Sequence, residues 1–153
     1  MNPYFILLPE AVVSGRAESK AVILDQLAAC FAKVYRLDHA AVLARIEQRE
    51  RLGSTGFGRG VAIPHAHAEG LKRPVAVFLR LESPVDFDAA DSVPVDLVFG
   101  LLSPEMAGAT HLQALAAISR TMRDERMREA LLDAPDTEAL YSLLNNVDDR
   151  DVA

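Results

Sequence analysis

Apolar residues recur at three- and four-residue steps over two stretches near the start of the chain. Between Ser19 and Tyr35, the side chains of Leu24, Leu27, Ala28, Phe31, Val34 and Tyr35 fall on one helical face. Ser14 and Ser19 are both suitable N-caps for this helix. A second helix is predicted over 39–50, capped by Asp38, with Val42, Leu43 and Ile46 on its apolar side and Gly53 as its stop. The pattern then changes. A short apolar run, Val61-Ala62-Ile63, is predicted as a strand that Pro64 ends. VAVFLRL (75–81) alternates and is rich in β-branched residues, as a strand should be. Pro84 and DFDAAD (86–91) predict a turn region. VDLVFGLL (95–102) is almost uniformly apolar, which suits a central strand covered on both faces, and Ser103-Pro104-Glu105 should break it. Helical spacing returns over 111–124, with Thr110 as cap and Leu112, Leu115, Ala116, Ile118 and Met122 facing inward. Two short helices should follow, Glu125–Leu132 and one over 136–145 that starts at Asp136 or Thr137. The polar end of the chain, 146–153, is expected to fray. Helices interleave with strands and no linker divides them, so the expected class is a single α/β domain over 5–145.

Composition narrows this picture only slightly. The chain has 153 residues, half of them hydrophobic and a quarter charged, which suits one soluble domain with a sizeable core. No apolar run reaches the length of a membrane span, and MNPYFILLPE has neither a basic leader nor a cleavage site. A cytoplasmic protein without membrane insertion is expected. The single cysteine, Cys30, reads as a buried thiol in a helix. A net charge of −6 argues against non-specific nucleic-acid binding, which needs a basic surface.

The chemistry concentrates in GSTGFGRGVAIPHAH (53–67). This is not a phosphate-cradling P-loop, because no Lys-Ser/Thr follows the glycines. Nor is it a dinucleotide fingerprint, since a strand and not a helix comes next. The glycines are expected to wind an irregular turn and leave His65 at a strand end beside a flat surface that another protein can reach. An imidazole is a nucleophile at neutral pH when one ring nitrogen is unprotonated, and a neighbour holding the proton on the other nitrogen prepares it for attack. Such a ring can accept and pass on a phosphoryl group. Positioning and charge compensation would come from Arg49, from the hydroxyls of Ser54 and Thr55, and from glycine N–H groups. His111 has two open readings: a residue packed near a helix start, or a second imidazole aimed at the first. The H-x-H spacing of His65 and His67 could ligate a metal, but nothing nearby completes a site; a surface residue in a turn is the preferred reading of His67. His39 reads as an exposed helix residue.

Three stretches together resemble a known family: RERLGSTGFGRGVAIPH (49–65), PVDLVFGLL (94–102) and HLQALA (111–116). They are similar to the fructose/mannitol-type IIA proteins of the bacterial phosphoenolpyruvate-dependent phosphotransferase system, most of all to its nitrogen-regulatory branch. The resemblance implies a mixed central β-sheet with helices on both faces. It implies that His65 accepts the phosphoryl group through Nε2, with Arg49 beside it, His111 facing it, and Ser54 and Thr55 in the loop. No cofactor or metal is implied. The donor would be a small histidine phosphocarrier of the HPr or NPr type, charged by an enzyme I. The chain would either be read as a regulator, by targets such as potassium transporters and sensor kinases, or pass phosphate to a separate IIB domain. After the family's A-I-P-H, Ala66-His67 stands where a small residue and then Arg or Lys are common. The docking face is expected to include Phe57 and the glycines, with acidic residues at its rim for a basic carrier.

Overall fold

The computed structural model describes residues 2–145; the tail expected to fray, 146–153, lies outside them. Strand β1 (Val12–Gly15) leads into helices α1 (Lys20–Tyr35) and α2 (His39–Arg51). Then come β2 (Gly56–Gly58), β3 (Val61–Ala62), β4 (His65–Ala68), β5 (Val75–Val85) and β6 (Val95–Pro104). Helices α3 (Ala109–Arg123), α4 (Glu125–Asp133) and α5 (Thr137–Asn145) follow. The caps of the first two helices are the local side chains the sequence offers. Ser19 Oγ accepts from the Val22 N–H at 3.2 Å and Asp38 Oδ2 from the Ala41 N–H at 2.8 Å.

The six strands form one mixed sheet in the order β1-β5-β6-β3-β2, with β4 continuing the β3 position along β6. β5 and β6 are antiparallel and central; β1 runs parallel to β5, β3 and β4 run parallel to β6, and β2 is antiparallel to β3. Alternation along these strands divides the core in two. Val77, Leu79, Val98 and Leu102 pack with Leu24, Leu27, Phe31, Val42 and Ile46 of α1 and α2. Phe78, Leu97, Phe99 and Leu101 pack with Ile118, Met122, Met127, Leu131, Leu140 and Leu144 of α3, α4 and α5. Helices therefore cover both faces, and the apolar run of β6 is explained by burial on each side. Gly100 lets α1 approach closely, because a Cβ there would stand 3.1 Å from the Phe31 ring. Cys30 is half-buried in α1, and burial pushes its thiol pKa up. His39 is exposed and contacts Asp25 at 2.9 Å.

Four local expectations change. Pro84 lies inside β5, at an irregularity in the pairing between Arg80 and Val85 where no ladder N–H is required. Ser103 and Pro104 do not break β6, because β4 continues to pair with them. Pro64 interrupts the ladder without ending it; the chain resumes pairing at His65. α3 is capped by Gly108 without a side-chain hydrogen bond, so Thr110 is not its cap. Its buried stripe is His111, Ala114, Ala117, Ile118 and Met122, while Leu112 and Ala116 face solvent and Leu115 is half-buried. Small alanines let this face sit close to the sheet, which the larger Leu112 would prevent.

Candidate functional site

His65 and His67 lie two residues apart on β4 and so point to the same side of the sheet. Ala66 and Ala68 turn the other way, into the α1–α2 core. The parallel pairing sets His65 beside Leu101 and His67 beside Ser103 of β6. The first turn of α3 covers this side and delivers His111. The rings of His67 and His111 are 4.4 Å apart between centroids, and those of His65 and His111 are 5.7 Å apart. The end of α2 supplies Arg45, Gln48, Arg49 and Leu52 to the same cavity, which measures about 360 Å³.

The hydrogen bonds decide what each ring can do. His65 Nδ1 lies 2.8 Å from the carbonyl oxygen of Ile63. A carbonyl only accepts, so Nδ1 carries the proton and Nε2 of the neutral ring holds the free lone pair. Burial pushes the His65 pKa down, as do the Arg49 charge and His67; the Ile63 carbonyl and Glu50 oppose them. His111 is almost fully buried, with Nδ1 2.7 Å from the hydroxyl of Ser103. Burial first, and then His67 and His65, push its pKa down to about 4. At neutral pH the cavity thus holds an uncharged His65 ring with its Nε2 lone pair free and an uncharged His111 ring, whose Nε2 has no hydrogen-bond partner among the described residues.

Arg49 is held at the edge of the cavity by an Nη1 bond to the Gly53 carbonyl at 2.9 Å. Its neighbour Glu50 points inward and is buried. The Glu50 carboxylate accepts from the Thr55 N–H at 3.2 Å and from the Thr55 hydroxyl, and pairs with Lys20 at 2.8 Å. This buried clamp fixes the turn that follows α2 and hence the position of Arg49.

Comparison with known proteins places the chain in a family. Residues 6–147 match the family described as the phosphoenolpyruvate-dependent sugar phosphotransferase system, EIIA 2. The chain belongs to this family. It is 44% identical over 140 residues to a nitrogen regulatory protein of Bradyrhizobium diazoefficiens, covering 91% of this chain and 92% of that one. It is 41% identical over 144 residues to a nitrogen regulatory protein of Pseudomonas aeruginosa, covering 93% and 94%. The crystal structure of the nitrogen regulatory protein IIA-Ntr from Neisseria meningitidis superposes with a TM-score of 0.85 at 36% identity, over 91% of this chain and 96% of that one.

In this IIA chain, three of the residues singled out in the sequence, His65, His111 and Arg49, line one cavity. Ser54 and Thr55 do not. The Ser54 hydroxyl donates to the Phe87 carbonyl at 2.7 Å and accepts from the Gly56 N–H at 3.0 Å, while Thr55 is held by Glu50. Both shape the loop. His67 is not a surface residue in a turn: it is half-buried on β4 against His111. Among the described residues, no group of three or more His, Cys, Asp or Glu side chains is placed to hold a metal ion. The glycines form the β2–β3 hairpin, in which Arg59 (φ 57°) and Gly60 (φ 84°) make the left-handed turn. That hairpin and Phe57 line a different groove. The charged lining of the histidine cavity is Arg45 and Arg49, with the exposed Glu105 carboxylate at its edge as the partner of Arg45.

Two residues that shape the candidate site escaped the sequence reading. Ser103 is one; its parity with Leu97, Phe99 and Leu101 already aimed it at α3, as the polar end of an apolar face. Glu50 is the other. Its adjacency to Arg49 gave no sign that the two side chains part, one to the cavity and one to the interior.

Proposed function

We propose that this chain is a phosphohistidine carrier that accepts a phosphoryl group on His65 Nε2 and serves as a nitrogen-regulatory IIA protein. The observation that carries this is the Nδ1 bond of His65 to the Ile63 carbonyl, beside Arg49 and across from His111. The donor is an HPr- or NPr-type phosphohistidine protein. The Nε2 lone pair forms the new N–P bond as the donor's N–P bond breaks, and that electron pair returns to the donor imidazole. The Nδ1 proton stays on His65, and the Ile63 carbonyl stabilises the positive charge that the phosphorylated ring gains. Arg49 offsets the charge on the phosphoryl oxygens, and Nε2 of His111 is the ring atom available to meet them. Leu52, which lines the cavity and is largely exposed, offers an apolar contact to the donor. The regulatory role is supported by the two nitrogen regulatory relatives, each matched over most of its length. Among the described residues, no helix is long and apolar enough to cross a membrane, in keeping with a cytoplasmic carrier.

The test is intact-protein mass spectrometry after incubation with phosphoenolpyruvate, an enzyme I and an HPr-type carrier. The wild-type chain should gain one acid-labile phosphoryl group and His65→Ala should gain none. Phosphorylation of a folded His65→Ala chain would overturn the site. Rapid onward transfer to an isolated IIB domain would favour a transport role over a regulatory one.

A further inference from the structure

A second groove, of about 470 Å³, lies at the far end of α3 from His111. Arg123 lies twelve positions beyond His111 along α3, or roughly 18 Å. The two cavities share no lining residue. The groove is walled by Phe57 and Gly58 of β2, by Arg59 of the hairpin turn, by Asp91, and by Arg123 and Arg128 of α3 and α4.

Its charges are unbalanced. Arg128 is 8% exposed, and its guanidinium makes one hydrogen bond, from Nη1 to the Met122 carbonyl at 2.7 Å. Among the described residues, no carboxylate pairs with Arg59, Arg123 or Arg128. A guanidinium keeps its charge at any ordinary pH, and burying it without a counter-ion is unfavourable. The one acidic wall residue, Asp91, is occupied: its carboxylate accepts from the backbone N–H groups of Arg59 at 2.8 Å and Val93 at 3.0 Å. Three guanidinium groups thus face one carboxylate that is already engaged.

The remaining wall is apolar and flat. Phe57 is 38% exposed, with the Arg123 guanidinium 6.0 Å from its ring centre. Gly58 leaves the strand beside it bare of side chain. An inorganic anion would use the arginines and leave the ring idle. A ligand with both a phosphate and a planar base uses both, because a base stacks on an aromatic face and arginine binds phosphate in a fork. The volume is that of a small-molecule site.

We propose that this groove binds a nucleoside phosphate, with the phosphates on Arg123 and Arg128 and the base against Phe57. It is a site separate from the phosphoryl-accepting cavity.

The test is isothermal titration calorimetry of the full chain with ADP, pyrophosphate and adenosine, alongside amide NMR shifts. ADP should bind saturably and more tightly than pyrophosphate or adenosine, moving the Gly58 and Arg59 amides and leaving those of β4 in place. Arg123→Gln should weaken ADP about tenfold, the loss expected for one charge-assisted contact. Phe57→Leu should weaken ADP while leaving pyrophosphate unchanged. Both positions are exposed, so these variants fold whether or not an Arg128 substitution does. No saturable ADP binding would overturn the proposal. So would ADP affinity unchanged in both variants, pyrophosphate binding as tightly as ADP, or shifts confined to the histidine cavity.

Discussion

The packing of three imidazoles makes the stability of this fold sensitive to mild acid through His111. Its pKa falls from the usual 6.5 to about 4 in the fold. The unfolded chain therefore takes up this proton more readily than the native one. Stability contributed at this position is fully present above pH 6.5 and is lost progressively as pH falls from 6.5 towards 4. Below 4 both states are protonated and the loss is complete. A tenfold difference in proton affinity corresponds to about 1.4 kcal/mol, so the difference here amounts to roughly 3 kcal/mol in all, about 2 of it between pH 7 and pH 5. His111 as a residue is 8% exposed, so solvent screens little of this. The assay is urea unfolding at pH 7, 6 and 5, with His111→Gln beside the wild type. Glutamine can still meet the Ser103 hydroxyl but does not titrate, so the difference between the two chains isolates His111. With a urea slope of about 2 kcal/mol/M, the wild-type midpoint should drop by roughly 1 M more than that of the variant between pH 7 and pH 5. Parallel losses in the two chains would refute the claim that the fold holds His111 neutral.

Three further outcomes are expected. Arg49→Gln should leave the fold intact and slow phosphoryl acceptance by about 10²-fold in rapid-quench measurements, as loss of a single electrostatic stabiliser does; it should also raise the His65 titration midpoint in NMR, because the Arg49 charge helps to hold that pKa down. Glu50→Ala should destabilise by roughly 2–4 kcal/mol in urea melts, since it strands Lys20 and leaves the Thr55 N–H unpaired. Gly100→Ala should cost roughly 1–3 kcal/mol in thermal unfolding without changing the His65 chemistry, because its Cβ would press on the Phe31 ring at 3.1 Å.

The elements whose causes are local were legible in the sequence. Ser19 and Asp38 cap α1 and α2 through atoms three residues away, and a short window contains all of that interaction. The double-sided burial of β6 was written in its uninterrupted apolar run. The glycine-rich segment, with the histidine after its proline, was specific enough to place the family. The failures share a cause. Gly108 caps α3 with no side chain to announce it, and the buried stripe of α3 follows alanines that carry little hydrophobic signal. Pro84 and Pro104 looked like strand breakers because the ladder positions that tolerate them are set by partner strands.

The sequence by itself determined which residues are candidates for the chemistry and placed Arg49 at the end of a helix and His65 directly after Pro64. Tertiary structure decided what they meet. Only the register of β4 on β6 puts Ser103 beside His67, and only the docking of α3 brings His111 over both rings. Only folding separates Arg49 from Glu50, sending one to the cavity and the other to Lys20 and Thr55. These contacts join segments that are distant in the chain. Their geometry follows from the sheet register and from how closely helix and sheet pack, and neither is encoded in the run of residues around any one of them.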